Sequence, residues 1–190
     1  MISYPENPEN PENPVPGRNP GKLALLGFMG CGKSSIGPLL ALKLGVSYID
    51  LDELIERREA RTIGEIFLTR GEAVFRELEQ ASLAEVARRS EPCVLSCGGG
   101  IVLSELNRRV LRESFVSVWV DVPLEELLKR LENERKTRPL LARGDYPERA
   151  FALLGERRAL YESASRYRYR WKKGEDAPTS AALIAGMLEG

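Results

Sequence analysis

The chain has 190 residues, no histidine and three cysteines. Without imidazole, any general base working near neutral pH must be a carboxylate, a perturbed Lys or Cys, or water. A structural zinc site is equally improbable, because histidine is absent and no close cysteine pair exists. Cys93 and Cys97 fall in one β-prone stretch, about 13 Å apart if extended, too far for a disulfide. Such usage fits a reducing cytosol, so a cytoplasmic protein is expected. No apolar run approaches the roughly 20 residues of a membrane helix. The N-terminus carries neither a basic segment followed by an apolar core nor an Arg- and Ser-rich leader. An excess of charge of either sign is missing too. Lys and Arg total 28 and so do Asp and Glu, giving a net charge of zero. A nucleic-acid surface needs a basic excess, so neither nucleic acid nor membrane is expected as a partner.

What is present fits one globular domain, with 43% hydrophobic and 29% charged residues. Residues 1–20 stand apart: Pro-Glu-Asn repeats three times between Pro5 and Asn13. That composition cannot bury apolar area, and a disordered tail is expected. The domain proper occupies 21–190.

Its organising stretch is Gly27-Phe28-Met29-Gly30-Cys31-Gly32-Lys33-Ser34, a complete Walker A phosphate loop. The apolar run Leu23-Ala24-Leu25-Leu26 precedes it as a buried strand, and a helix follows over residues 35–44. Glycines let the backbone wrap an anion, and successive N–H groups with the helix N-terminus point at phosphate oxygens. Lys33 can reach the β- and γ-phosphates, and the Ser34 hydroxyl can ligate Mg²⁺. Pro38 lacks the N–H that would bond the Ser34 carbonyl, so a local distortion is expected there. Cys31, at a helix N-terminus, is a candidate for a lowered thiol pKa and for oxidation that blocks ATP.

Further along, residues 46–50 read as a second strand ending in Asp50-Leu51-Asp52. If the strand ends there, both carboxylates project over the edge where open parallel sheets bind ligands. Asp52 is equally readable as the N-cap of a helix over 53–60, and the two readings are compatible. A short helical connection spans 62–70, followed by a longer helix from Glu72 to about Arg89. The apolar stripe of that helix runs through Val74, Leu78, Ala81 and Val86. Arg76 lies about 200° round from Val74, where an Arg is usually solvated. Cys93-Val94-Leu95-Ser96 is a third strand running into Gly98-Gly99-Gly100, bare backbone that a ligand can approach closely. Ser96 stands where many phosphate-loop proteins carry an acid, which leaves Asp50 as the metal-supporting carboxylate. A helix over 104–113, a strand over 115–120 and a helix from Pro123 to near Leu131 follow. Residues 132–145 are polar and basic, with Arg135, Lys136 and Arg138, and read as a lid over the nucleotide. A helix over 146–165, a strand over 167–171 and a helix over 178–188 complete a doubly wound parallel α/β pattern.

Taken together and in order, these motifs resemble the shikimate kinase family. They are the phosphate loop, Asp50/Asp52, Phe75-Arg76, Gly98-Gly99-Gly100, Arg138-Pro139-Leu140-Leu141 and Arg157-Arg158-Ala159-Leu160-Tyr161. The resemblance implies a three-layer P-loop NTPase fold: a five-stranded parallel sheet in the order 2-3-1-4-5, helices on both faces, and shikimate-binding and lid segments. It implies transfer of the γ-phosphate of ATP to the 3-hydroxyl of shikimate by a monomeric enzyme. By matched position, Gly30, Cys31, Gly32, Lys33, Ser34, Ser35 and Arg138 would bind ATP. Asp52, Arg76, Gly98, Gly99, Gly100 and Arg157 would hold shikimate. Lys33, Asp52 and Arg138 would be catalytic, with Mg²⁺ held by Ser34 directly and by Asp50 through water. The chain departs from the family pattern at Pro38, at Ala159, in a longer stretch before the lid Arg, and in 171–178, which would face adenine. The competing readings are another P-loop kinase, for gluconate or a nucleotide, and a related binding module without turnover. The arginine pair, suited to a small anionic polyol, argues against the first; intact Lys33, Asp52 and Arg138 argue against the second.

Overall fold

The computed structural model describes residues 21–134 and 146–189. The expected tail, and within the lid Arg135, Lys136 and Arg138, lie outside the described residues. Five strands form one parallel sheet: β1 (Lys22–Leu26), β2 (Ser47–Asp50), β3 (Cys93–Ser96), β4 (Val116–Asp121) and β5 (Tyr167–Arg170), in the order β2-β3-β1-β4-β5. Among the described residues seven α-helices cover it: α1 (Lys33–Leu44), α2 (Leu51–Glu59), α3 (Ile63–Arg88), α4 (Glu105–Ser114), α5 (Leu124–Glu134), α6 (Tyr146–Ala164) and α7 (Ala177–Glu189).

The apolar run of β1 has no polar alternation because both faces of its strand are covered. Leu23 and Leu25 join a core with Leu40 of α1, Leu127 of α5 and Ile184 of α7. Ala24 and Leu26 point the other way, into a core with Ile55 of α2, Leu83 of α3, Leu111 of α4 and Tyr161 of α6. The register aligns Asp50 with Ser96 and Ser96 with Leu25, so the carboxyl ends of β2, β3 and β1 finish side by side. The loops leaving this edge build the site.

Four expectations change at this level. α1 runs unbroken through Pro38, so the missing N–H does not interrupt the helix. Asp52 is neither the last residue of a strand nor an N-cap. β2 stops at Asp50, whose side chain caps α2 by accepting from the Asp52 and Glu53 amides, and Asp52 sits in the first helical turn. α5 continues past Leu131 to Glu134. The buried stripe of α3 is Phe75, Glu79, Ser82, Leu83 and Val86, while Ala81 is exposed. Two polar residues lie in that stripe, so hydrophobicity alone centred it wrongly and placed Arg76 too far toward solvent. The division at Gly71 agrees with the sequence: its φ of 82° breaks the α3 backbone between the two expected helices.

Candidate active site

The donor half is built almost entirely from one contiguous stretch. Gly30 and Gly32 take φ of 75° and 96°, turning the chain so that α1 starts at Lys33. A side chain at Gly30 would press on Leu131 of α5, and one at Gly27 would strike the Val120 carbonyl. α2, α3 and α4 begin on the side chains of Asp50, Thr62 and Ser104. α1 begins on Gly32 with no side-chain cap, which leaves its first amides for an outside acceptor. Lys33 is only 8% exposed and folds back to donate to the carbonyls of Gly27 (2.9 Å) and Phe28 (3.0 Å) and to the Cys31 thiol (3.3 Å). Its ammonium is thereby held inside the loop. Cys31 is fully buried beneath Gly27. The proposed oxidation switch is corrected accordingly, since a thiol sealed under the loop has no contact with solvent oxidants.

Ser34 and Asp50 meet at the mouth of this loop. The Ser34 hydroxyl donates to Asp50 Oδ2 at 3.1 Å. With its proton turned toward Asp50, the hydroxyl keeps its lone pairs for a cation on the phosphate side. Among the described residues no group of three or more His, Cys, Asp or Glu could hold a metal ion. One hydroxyl and one carboxylate fit Mg²⁺ that arrives on a nucleotide, since that ion keeps its waters and takes phosphate oxygens rather than a full protein cage. Arg130 of α5 and Trp171 close the far end. The Arg130 guanidinium lies 4.6 Å from the Trp171 ring centroid, and the Trp171 indole donates to the Glu175 carbonyl at 2.8 Å. These residues line one cavity of about 540 Å³ with the phosphate loop, Asp50, Asp52, Ser96, Gly98 and Gly99. Within the 171–178 stretch, Trp171, Glu175, Asp176 and Ala177 thus line the same cavity as the phosphate loop, without a recognisable motif.

The acceptor half is assembled from four elements. Arg76 of α3 donates to Glu79 Oε2 at 2.9 Å and to Glu72 Oε1 at 3.0 Å, and its guanidinium lies flat against Gly100. A Cβ on Gly100 would stand 2.6 Å from the Arg76 Cζ. Arg157 of α6 is 5% exposed and donates to the Gly99 carbonyl at 3.2 Å, and the Tyr161 hydroxyl donates to the same oxygen. A Cβ on Gly98 would lie 3.0 Å from both Asp52 Oδ1 and Glu79 Oε1, and one on Gly99 would lie 3.2 Å from the Met29 amide. The three glycines are therefore close-approach positions: Asp52, Glu79, Arg76 and the phosphate loop crowd their bare backbone.

Glu79 was missed in the sequence. It is completely buried. Burial pushes its carboxyl up to about 7; Arg76 opposes the rise, Asp52 adds to it and Arg157 opposes it. The only sequence signal is the three-residue Arg76–Glu79 spacing, which ordinarily marks an exposed helix pair. Desolvation works against the Arg76 charge, and Glu79 and Glu72 outweigh it, so the guanidinium stays charged. Burial drives the Cys97 thiol well up, which makes it a packing group rather than a nucleophile. Among the described residues, Glu79 Oε1 and Arg157 Nε have no hydrogen-bond partner. Unspent polar capacity in a buried cleft is what a polar ligand would take up.

A sequence profile described as shikimate kinase matches residues 29–184. The chain belongs to the shikimate kinase family. The shikimate kinase of Gloeobacter violaceus is 51% identical over 142 residues, 75% of this chain and 79% of that protein. That of Geobacter metallireducens is 45% identical over 167 residues, 87% of this chain and 90% of that one. Among solved structures, the shikimate kinase from Acinetobacter baumannii in complex with shikimate superposes with a TM-score of 0.84 at 33% identity, covering 88% of this chain and 92% of that one. The one from Bacteroides thetaiotaomicron gives 0.80 at 35% identity, covering 88% and 98%. As a shikimate kinase family member the chain is an ATP-dependent phosphotransferase of the shikimate pathway, and its sheet order is the one the resemblance implied.

Proposed function

We propose that the two halves of this cleft bring the γ-phosphate of ATP and the 3-hydroxyl of shikimate together, with Arg76 and Arg157 fixing the acid and Asp52 the hydroxyl. The supporting observation is that both guanidiniums, carried by different helices, turn onto Gly99 and Gly100, next to the Gly98, Gly99 and Asp52 that line one cavity with the phosphate loop. Two guanidiniums suit one carboxylate through charge-assisted bonds. Gly98, Gly99 and Gly100 let a six-membered ring lie against backbone.

The loop residues Gly30, Cys31 and Gly32, with Ser34 and Ser35 in the first turn of α1, cradle the β- and γ-phosphates through main-chain amides, and Lys33 leaves its loop carbonyls to bind their oxygens. Asp52 accepts the 3-hydroxyl proton as the oxygen–phosphorus bond forms; the bond to the β-phosphate oxygen breaks and ADP leaves. Lys33 and Arg138 neutralise charge on the transferring group, where positioning and electrostatics supply most of the catalysis. When bound, Mg²⁺ would be held by Ser34 and through water by Asp50, and would supply charge neutralisation on the phosphates. The enzyme acts as a cytoplasmic monomer on small molecules only; no described helix is long and apolar enough to cross a membrane.

A coupled ADP-release assay with ATP, Mg²⁺ and separate shikimate, gluconate and nucleoside monophosphate arms tests the proposal. Turnover with shikimate alone is expected. Faster turnover with gluconate or a nucleotide would overturn the assignment of Arg76 and Arg157.

A further inference from the structure

Next to Ser34 and Asp50 stands a residue with no part in the scheme above. Tyr48 lies two positions before Asp50 on β2, an edge strand, so both side chains leave the same face. Its phenol donates to Asp50 Oδ2 at 3.2 Å, the oxygen that also accepts from Ser34. The other oxygen, Oδ1, accepts from the amides of Asp52 at 3.0 Å and Glu53 at 3.4 Å. Four donors from three elements thus hold one carboxylate: α1 through Ser34, β2 through Tyr48, and the first turn of α2 through two amides. The amides hold one oxygen and the two hydroxyls the other, so rotation of the carboxylate about Cβ–Cγ is opposed at both ends.

The ring of Tyr48 is itself held in place. It lies over α1 at Gly37, where a Cβ would run into it. Glycine within a helix is unfavourable, and at position 37 it makes room for this ring.

We propose that Tyr48 is a positioning residue for the nucleotide-borne divalent cation: it locks Asp50 Oδ2 so that the Ser34 hydroxyl spends its proton on Asp50 and keeps its lone pairs for the metal. This rests on the reading of Ser34 and Asp50 as the metal-facing pair. Without the phenol, Asp50 Oδ2 loses one of two anchors and the Ser34 hydroxyl samples other rotamers. Cation affinity falls, while the amide cradle that binds phosphate is untouched.

The test uses the full chain with Mn²⁺ as the spectroscopic probe, read by electron paramagnetic resonance in the presence of ADP. Metal-free ADP binding is measured alongside by calorimetry. Tyr48→Phe keeps the ring over Gly37 and removes only the hydroxyl. Its Mn²⁺ dissociation constant in the ADP complex should rise about three- to tenfold, as for loss of one hydrogen bond, with metal-free ADP affinity unchanged. In turnover, the apparent metal constant should rise more than kcat falls. Gly37→Ala, which displaces the ring, should reproduce the metal effect, and Ser34→Ala should exceed it. If Ser34→Ala weakens Mn²⁺ and Tyr48→Phe does not, Tyr48 is no positioning residue and the metal pair stands. If neither weakens it, the metal pair itself falls. Equal weakening of Mn²⁺ and metal-free ADP in Tyr48→Phe would mean a general loosening of the loop and would also overturn the proposal.

Discussion

On the proposed function, the two halves of the cleft hold anions by different means. On the donor side the grip is main-chain amide plus one lysine, all within residues 27–35, and its geometry follows from glycine conformations and a helix start. On the acceptor side the grip is side chain on backbone. Asp52 comes from α2, Arg76 and Glu79 from α3, Arg157 from α6, and all converge on the three glycines after β3. A local cradle tolerates distant change but no change in its own residues. A convergent one can be loosened from any contributing element, and each loosening should affect only the acceptor.

Substitutions can break that contrast, the largest effects coming where both halves act on one phosphoryl group. Lys33→Met should lower kcat/KM by about 10³ or more, since an uncompensated phosphate charge is left in a dry cleft. A loss below tenfold in steady-state assays would separate Lys33 from the chemistry. Asp52→Asn should cut kcat by about 10² or more, whether Asp52 deprotonates or orients the hydroxyl. A near-wild-type rate would remove it from the reaction.

Sharper discrimination comes from the acceptor side alone. Arg157→Ala should raise the shikimate KM about 10- to 100-fold, the worth of a charge-assisted hydrogen bond, with ATP affinity little changed. Gly100→Ala should act in the same direction at roughly tenfold, by pushing the Arg76 guanidinium off its seat. Parallel losses for ATP and shikimate in either variant would show that the halves are one unit.

A last expected effect is on stability and leaves the rate aside. The Glu79 carboxyl rises from 4.5 to about 7 in the folded state. The folded chain therefore holds a proton there that the unfolded chain has released, so stability declines as pH climbs from 4.5 to 7. The decline amounts to at most about 3 kcal/mol. The chain has no histidine to titrate in that window. Glu79→Gln should flatten the slope of thermal stability against pH there, and an unaltered slope would mean that Glu79 is ionised throughout.

How much of this was legible in advance differs between the halves. The phosphate loop, its strand and its helix were readable because the chemistry needs those residues at that spacing and the chain supplies them contiguously. The triple glycine was visible, but its reason was not: each glycine answers a side chain brought from α2 or α3, or the main chain of the loop itself. Arg76 and Glu79 were the hardest. By periodicity alone the α3 stripe centred on Val74, Leu78 and Ala81, yet the buried face carries Glu79 and Ser82, because the surface it meets is a polar cleft as well as an apolar core. Arg157 could be assigned only through the ordered motif set, since a buried guanidinium looks like any other helical Arg in one dimension.

The amino-acid order alone determined the parallel α/β pattern, the phosphate loop and the near absence of ordinary proton shuttles, since these depend on neighbours along the chain. Tertiary structure decided that β2 ends at Asp50, that Asp52 sits in the first turn of α2, that Tyr48 reaches Asp50, and that Glu79 and the two arginines gather on the three glycines. Those outcomes depend on which bare backbone and which buried charge meet across elements far apart in sequence, and no local spacing encodes that meeting.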